Sequence, residues 1–148
     1  MASKNPIGYI DIRASVQATE DMDKVQKALL NLISPELKGT LIVERTSLTG
    51  HYGNPIILLQ ARVADKDATM KVFSRIATGL SVLDRELLNE EINLHFEKGN
   101  LYLRLDKQAA YQGEYKLQNN DPVHIRVHFK QHDKHEIKEI CRELGLLP

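Results

Sequence analysis

The chemistry that this sequence offers is concentrated in two polar loops and along the outward face of its later strands. The first loop, residues 50–55, places His51, Tyr52 and Asn54 between two predicted strands. An imidazole or a phenol in such a loop can stack on an unpaired base, while glycine amides approach a phosphate. The steric alternative is a plain turn in which Gly53 adopts a positive φ. The spacing of the residues fits both interpretations.

A second polar segment begins where a predicted strand ends at Leu105. In a binding role, Lys107 would neutralise a phosphate, Gln108 would read the edge of a base, and Tyr111 would stack. In a structural role, Lys107 would be a solvated turn residue and Tyr111 would belong to the core. The sequence leaves these two roles open.

Cationic and aromatic side chains also alternate with apolar residues along the last three predicted strands. A sheet face of this kind can follow a phosphate backbone and offer rings for stacking. The alternative is an ordinary solvated sheet face, neutralised by Asp11, Glu97 and Asp106. The outward-facing set comprises His95, Tyr102, Arg104, His124, Arg126, His128 and Lys130.

Motifs for catalysis, cofactors and metals are missing from the sequence. It contains no nucleophile in a glycine-rich elbow, no phosphate-binding glycine loop and no dinucleotide fingerprint. His124 and His128 would lie about 13 Å apart along one strand, too far to share an ion. His132 and His135 match no recognised zinc spacing, and Cys141 lies on the apolar stripe of a predicted helix. We therefore expect no enzyme, no cofactor and no metal.

Hydrophobic periodicity divides the chain into the elements that must position these residues. Strands are predicted over 10–18, 41–46, 55–63, 92–96, 101–105 and 123–129, with 56–59 buried on both faces and a hairpin turn at 97–100. Helices are predicted from a Thr19 cap to Ser34-Pro35, over 65–78 with Gly79 beyond the end, over 81–90, and from Asp133 to about Leu144. Residues 106–121 are expected to form a long loop with a short strand near 115–117. This order predicts an α+β fold, with a mostly antiparallel sheet and helices packed on one face.

The charge balance limits what can attract a partner. Lysine and arginine together number 20, and aspartate and glutamate also number 20. No global field therefore draws the protein to nucleic acid, and only a locally basic face can do so. The length of 148 residues suits a single domain with its own core. The sequence has one cysteine, and it has no signal peptide and no membrane-spanning run. These features predict a cytoplasmic protein that is not associated with a membrane.

Three blocks of the sequence together resemble a known family. They are residues 17–21 before the first helix, the loop at 50–56, and the segment 100–114. They are similar to the archaeal RNA-binding-domain family described as a predicted exosome subunit, over about residues 8–129. The resemblance implies an α+β fold similar to that of the large-subunit ribosomal protein that binds the small ribosomal RNA of that subunit. It also implies RNA binding linked to archaeal RNA processing or degradation.

The resemblance also points to particular residues and partners. Gln17 stands where the family often has a histidine, and an amide there would weaken a stacking contact. We expect a non-catalytic RNA-binding protein, an accessory factor whose partners are RNA and exosome subunits or ribosomal components. The alternative is a protein-interaction subunit that does not itself touch RNA. A homodimer through an exposed strand is compatible with either. The expected RNA contacts are His51, Tyr52, Asn54, Arg104, Lys107, Gln108 and Tyr111.

Overall fold

Six antiparallel strands form one sheet in the computed structural model, which describes residues 5–33, 41–50, 52–131 and 133–148. The strands are β1 (Ile7–Val16), β2 (Glu44–Thr49), β3 (Pro55–Val63), β4 (Phe96–Glu97), β5 (Asn100–Leu105) and β6 (Val123–Phe129). The helices are α1 (Met22–Asn31), α2 (Lys66–Gly79), α3 (Val82–Glu90), α4 (Lys107–Tyr111) and α5 (Lys134–Glu143). The strand order is β2-β3-β1-β6-β5-β4, and every neighbouring pair is antiparallel. The predicted α+β fold is confirmed.

The core lies between the helices and one face of the sheet. In β6, Val123, Ile125, Val127 and Phe129 are buried, whereas the residues between them are partly accessible. Phe73 of α2 packs edge-on against Phe129, with ring centroids 6.2 Å apart. Each fully buried side chain of this size stabilises the fold by roughly 1.5–3 kcal/mol. The alternation of buried and accessible residues along β6 is the period-two pattern that the sequence displays.

The helices begin at side chains that cap their first amides. Asp65 accepts a hydrogen bond from the amide of Ala68 at 3.0 Å and so caps α2, at the start of the helix predicted over 65–78. Asp21 caps α1 through the amide of Asp23, so the predicted cap at Thr19 is wrong. Helix α1 ends at Asn31, and the predicted stop at Ser34-Pro35 lies outside the described residues. The remaining caps are Ser81, Asp106 and Asp133.

The predicted strand over residues 92–96 is wrong. Ile92–Leu94 form a 3₁₀ turn directly after α3, and His95 closes it by donating its amide to the carbonyl of Ile92 at 3.0 Å. Ile92 is buried while Leu94 faces solvent, so the two residues do not share a strand face. Only Phe96–Glu97 pair with β5, and the predicted hairpin turn follows them.

Two further predictions about strands need correction. β2 covers 44–49 rather than 41–46, and all its residues are exposed because it is the edge of the sheet. Residues 56–58 of β3 are only partly buried. The prediction that this part of the strand is buried on both faces is therefore wrong, because helices cover only one side of the sheet.

The segment 106–121 is more ordered than its sequence predicts. Helix α4 lies inside the predicted loop, and a single bridge joins Leu105 to Leu117. Gly79 is the last residue of α2 rather than a residue beyond it. A Cβ at Gly79 would collide with the ring of Tyr115, so the glycine allows this segment to approach the helix. Within the described ranges, no helix is long and apolar enough to cross a membrane.

Candidate nucleic-acid interface

The face of the sheet opposite the helices is polar and accessible, and we call it the open face. Cross-strand partners share a face, and the register places Arg104 beside His124 and Tyr102 beside Arg126. His124 also pairs with Arg13 of β1, which in turn pairs with Gln60 of β3. The open face comprises Tyr9, Asp11, Arg13, Ser15, Glu44, Thr46, Leu48, Ile56, Leu58, Gln60, Arg62, Glu97, Asn100, Tyr102, Arg104, His124, Arg126 and His128.

A buried carboxylate organises the middle of the open face. Asp11 is only 6% exposed and accepts hydrogen bonds from Arg62 at 2.6 and 2.9 Å and from Arg126 at 2.6 Å. Burial alone would raise the pKa of Asp11, but the bonds and charges of the two arginines outweigh it and hold that pKa below its usual value. The same bonds raise the pKa of both guanidinium groups. All three groups are therefore charged at neutral pH.

A stack of rings and guanidinium groups adjoins this carboxylate. Tyr9 stacks on His128 with ring centroids 4.6 Å apart, and Arg62 lies 4.0 Å from the centroid of Tyr9. A β-bulge between Ile7 and Tyr9 turns Tyr9 onto the open face. A Cβ at Gly8 would lie 3.1 Å from the ring of His128, so the glycine gives the stack its room.

A cleft of about 440 Å³ lies on the open face beside this stack. Arg13 and Arg104 line it together with Tyr102 and His124. Neither arginine has a hydrogen bond or ion pair through its side chain in the part of the chain that the structure describes. Unlike Arg62 and Arg126, these two guanidinium groups are available to an incoming anion.

His124 responds to the charge around the cleft. Its partial burial lowers its pKa, and the nearby positive charges of Arg13 and Arg104 lower it further. Asp121 acts in the opposite direction and does not compensate. Without a ligand, the imidazole is therefore mainly neutral at pH 7.

The predicted contacts in the first loop lie away from this cleft. Tyr52 is 87% exposed at the tip of the β2–β3 hairpin. Asn54 is also exposed, and its carbonyl accepts the amide of Gly50 at 2.6 Å. Gly53 has a φ of 79°, as the steric interpretation predicts. His51 lies outside the described residues, so the structure does not place this predicted contact.

The predicted contacts at the end of β5 and in the second segment have separate environments. Only Arg104 lies in the cleft. Gln108 is exposed on α4, and Tyr111 is partly exposed with Lys27 5.0 Å from its ring centroid. Lys107 is nearly buried, with 11% of its side chain exposed.

Lys107 is occupied by groups of the protein itself. Its ammonium donates to the carbonyl of Ser15 at 2.6 Å, to Glu20 at 3.0 Å and to Asp121 at 2.8 Å. An ammonium has three protons to donate, and these bonds use them. Lys107 therefore ties the end of β1 to α4, and it has no proton left for a phosphate.

The sequence predicted one half of the open face and missed the other. Tyr102, Arg104, His124, Arg126 and His128 face outward as predicted. His95 lies in the turn after Ile92–Leu94, and its ring bonds to the carbonyl of Tyr102 at 2.8 Å. Of the three predicted neutralising carboxylates, Asp11 pairs with arginines, whereas Asp106 caps α4. The residues missed are Tyr9, Arg13, Gln60 and Arg62; their signal is the alternation along β1 and β3.

The histidines give no metal centre in the described ranges, where no group of three or more potential ligands converges. His132, one of the residues considered for such a site, lies outside them. The arginines and rings of the open face can recognise a ligand by charge, hydrogen bonds and stacking.

The protein has an α+β fold with an antiparallel sheet, and the open face of that sheet groups arginines with aromatic rings. These features define a class of protein with a candidate interface for a polyanion. The chain belongs to the RNA-binding family, because the family model described as RNA binding matches residues 9–129. This confirms the family predicted from the three sequence blocks.

Archaeal proteins are among its relatives. RNA-binding protein PAB1135 of Pyrococcus abyssi is 35% identical, over 88% of this chain and 86% of that protein. Uncharacterized protein MJ0213 of Methanocaldococcus jannaschii is 30% identical, over 94% and 99%. Two solved structures share the fold: AF2318 from Archaeglobus fulgidus, with a TM-score of 0.78, 27% identity and coverage of 93% and 99%, and the DUF54 protein Mth689 from Methanothermobacter thermautotrophicus, with a TM-score of 0.76, 30% identity and coverage of 94% and 98%.

Proposed function

We propose that this protein binds RNA through the open face and has no catalytic role. The observation that carries the proposal is the pair Arg13 and Arg104, which flank a cleft without a carboxylate partner among the described residues. Guanidinium groups in this state bind phosphate, and the adjacent rings of Tyr102 and His124 offer stacking surfaces. The family description, RNA binding, supports RNA as the polyanion.

The RNA class best suited to this face is unpaired RNA, either single-stranded or in the loops of a structured molecule. Bases within a duplex are stacked on each other and hidden from a flat sheet, whereas unpaired bases can turn toward its rings. Arg104 is the central contact among those predicted from sequence. Tyr52, Asn54, Gln108 and Tyr111 are proposed as outer contacts. Lys107 is proposed as a positioning residue because its protons are already used.

The cellular role that we propose follows the family resemblance. The chain would act as a single RNA-binding domain in the cytoplasm, as an accessory factor in archaeal RNA processing or degradation. Exosome subunits or ribosomal components would be its partners, and its fold would be similar to that of the large-subunit ribosomal protein that binds the small ribosomal RNA, as the family resemblance implies. The exposed edge β2 is compatible with a homodimer.

The experiment that tests RNA binding compares two variants by fluorescence anisotropy with a labelled single-stranded RNA at low and moderate salt. Arg13→Ala combined with Arg104→Ala should weaken binding by about tenfold or more, because two charged hydrogen-bonding groups are lost. Arg45→Ala is the control, since this arginine bonds to Gln26 on the helix side of the sheet. Equal affinity of the double variant and the control would remove the cleft from the interface.

A protein-interaction subunit is the second candidate, and one observation favours it. The open face becomes apolar toward the β2–β3 hairpin, where Leu48 pairs with Ile56 and Leu58 follows on the same face. Apolar surface of this kind suits a protein partner. Binding to purified exosome subunits that survives nuclease and is lost in Ile56→Asp, with no affinity for RNA, would favour this candidate over the first.

A further inference from the structure

One wall of the cleft is apolar and comes from outside the strands that form its floor. Leu94 lines the cleft from the 3₁₀ turn and is 82% exposed. A single exposed leucine is ordinary on a protein surface. This one, however, stands at the rim of a cleft whose other accessible lining is mainly polar, whereas the apolar lining residues Leu103 and Ile125 are buried. The cleft therefore offers an apolar contact beside its charges, which a bare phosphate does not need and a nucleobase does.

The same wall carries a carboxylate. Glu97 lines the cleft, and its side chain has no hydrogen bond or ion pair with any described residue. A carboxylate next to a phosphate site weakens the general attraction for RNA. It also accepts hydrogen bonds through two oxygens and donates none. Its position therefore favours a ligand that presents hydrogen-bond donors at this end of the cleft and a phosphate at the other.

The wall is held firmly enough to discriminate between ligands. Glu97 pairs with Asn100 across a two-residue turn in which Lys98 and Gly99 have φ values of 50° and 82°. The carbonyl of Gly99 accepts the amide of Phe129 at 2.9 Å, which fixes the hairpin to β6. The backbones of His95 and Tyr102 bond at 2.8 Å. Leu94 and Glu97 are thus presented from anchored backbone, and preorganised groups lose less entropy on binding.

We infer that the cleft holds one unpaired guanosine of the RNA, with its phosphate on Arg13 and Arg104, its base against Leu94, and its Watson–Crick edge on Glu97. The inference rests on the proposed function and specifies its ligand. Guanine offers two adjacent donors, N1–H and the N2 amino group, which match the two oxygens of a carboxylate. Adenine and cytosine offer one amino group each. Uracil places carbonyl oxygens on both sides of its single donor, and these would face the carboxylate unfavourably.

The test uses four labelled RNA octamers, each of uridine except for one central guanosine, inosine, adenosine or uridine. Anisotropy titrations at low salt should give the guanosine octamer an affinity about five- to tenfold above that of the uridine octamer, as one charged hydrogen-bond pair permits. Inosine lacks the N2 amino group and should fall between them. Equal affinities for all four octamers would overturn the inference.

Glu97→Gln is the decisive variant. It should abolish most of the preference for guanosine and should bind the uridine octamer at least as well as the wild type, because a negative charge is removed. Glu86→Gln, on the exposed side of α3, is the matched control and should keep the preference. Far-UV circular dichroism checks that both variants fold. If the wild type prefers guanosine but Glu97→Gln keeps that preference, the inference is overturned, because the preference then does not depend on Glu97.

The failure of this inference is distinguishable from failure of the proposed function. If Arg13→Ala with Arg104→Ala loses binding while Glu97→Gln changes no preference, the open face binds RNA without selecting guanosine. If the arginine variant binds all four octamers like the wild type, the cleft is not the RNA site and both proposals fall.

Discussion

Arg62 and Arg126 share one carboxylate on the open face, and this arrangement has two consequences. Asp11 is buried, so its charge would be costly without both partners. With them, it holds the two guanidinium groups in fixed positions close to the ring of Tyr9. A face prepared in this way loses little side-chain freedom when it binds a ligand. The cost is that part of its positive charge is already neutralised.

Replacing Asp11 should therefore reduce stability in a pH-dependent way. Asp11→Asn removes the charged partner of two arginines and should lower the free energy of unfolding at pH 7 by about 1–3 kcal/mol. The folded-state pKa of Asp11 lies below its ordinary value of 3.8, so its contribution is complete above that value. It is lost as the pH falls through the lower folded-state pKa. Urea denaturation of wild type and variant should give a constant difference between pH 5 and 7 that shrinks below about pH 4; a constant difference down to pH 2 would contradict this.

His124 should couple RNA binding to pH. Its pKa is held below 6.5 by burial and by the charges of Arg13 and Arg104, and phosphate bound to these arginines would cancel their effect. The pKa should then rise in the complex, so that binding takes up a proton and affinity increases several-fold from about pH 7.5 to pH 6. His124→Gln should flatten this dependence, while His135→Gln on α5 should leave it intact. Anisotropy titrations across this range provide the measurement, and an unchanged pH dependence in His124→Gln would exclude the coupling.

At the scale of elements, sequence patterns were reliable where structure is local. The helix starts near Asp65, Ser81 and Asp133 and the turn at 97–100 depend on a few neighbouring residues and were predicted, although the cap of α1 was placed at Thr19 instead of Asp21. The prediction of a strand over 92–96 was wrong because the alternation of Ile92, Leu94 and Phe96 also fits a 3₁₀ turn followed by a short strand. In that structure only Ile92 is fully buried. Alternation over so few residues does not separate these structures.

The candidate site was predictable only in part, for a related reason. Arg104 and His124 lie on β5 and β6, whose outward faces are visible in their own alternation. Arg13 and Arg62 reach the same surface only because β1 lies between β6 and β3, which is a pairing of segments far apart in sequence. Nothing in the local pattern specifies that strand order. The role of Lys107 was equally hidden, because Glu20 is 87 residues away along the chain.

Lys107 should consequently matter more for folding than for RNA affinity. Lys107→Met removes bonds to the carbonyl of Ser15 and to two carboxylates, and should lower the free energy of unfolding by about 1–3 kcal/mol. The neighbouring Gln108→Ala, on an exposed position of α4, should change it by less than about 0.5 kcal/mol. Urea denaturation measures both values.

The RNA affinity of Lys107→Met, measured at a temperature where the variant remains folded, should stay within about twofold of the wild type. A large loss of affinity in a variant of normal stability would instead show that Lys107 leaves its carboxylates to contact RNA.

For the whole molecule, a net charge of zero conceals an uneven distribution. The open face carries four arginines, Arg13, Arg62, Arg104 and Arg126, against three carboxylates: buried Asp11, exposed Glu44 at the edge strand β2, and Glu97 at the rim of the cleft. At physiological ionic strength the Debye length is about 8 Å, so a phosphate on this face responds to nearby arginines more than to distant carboxylates. Neutral total charge and RNA binding are therefore compatible.

This distribution makes a quantitative prediction for salt dependence. For single-stranded RNA, each neutralised phosphate contributes a slope of about −0.7 to the plot of log affinity against log salt concentration. Arg13→Ala and Arg104→Ala should each reduce the magnitude of the slope by about that amount. Arg45→Ala, which removes the same charge from the other side of the sheet, should leave it unchanged. If all three variants changed the slope equally, RNA would be responding to the total charge of the protein. Distinct slopes for the open-face variants would mean that phosphates contact Arg13 and Arg104 directly.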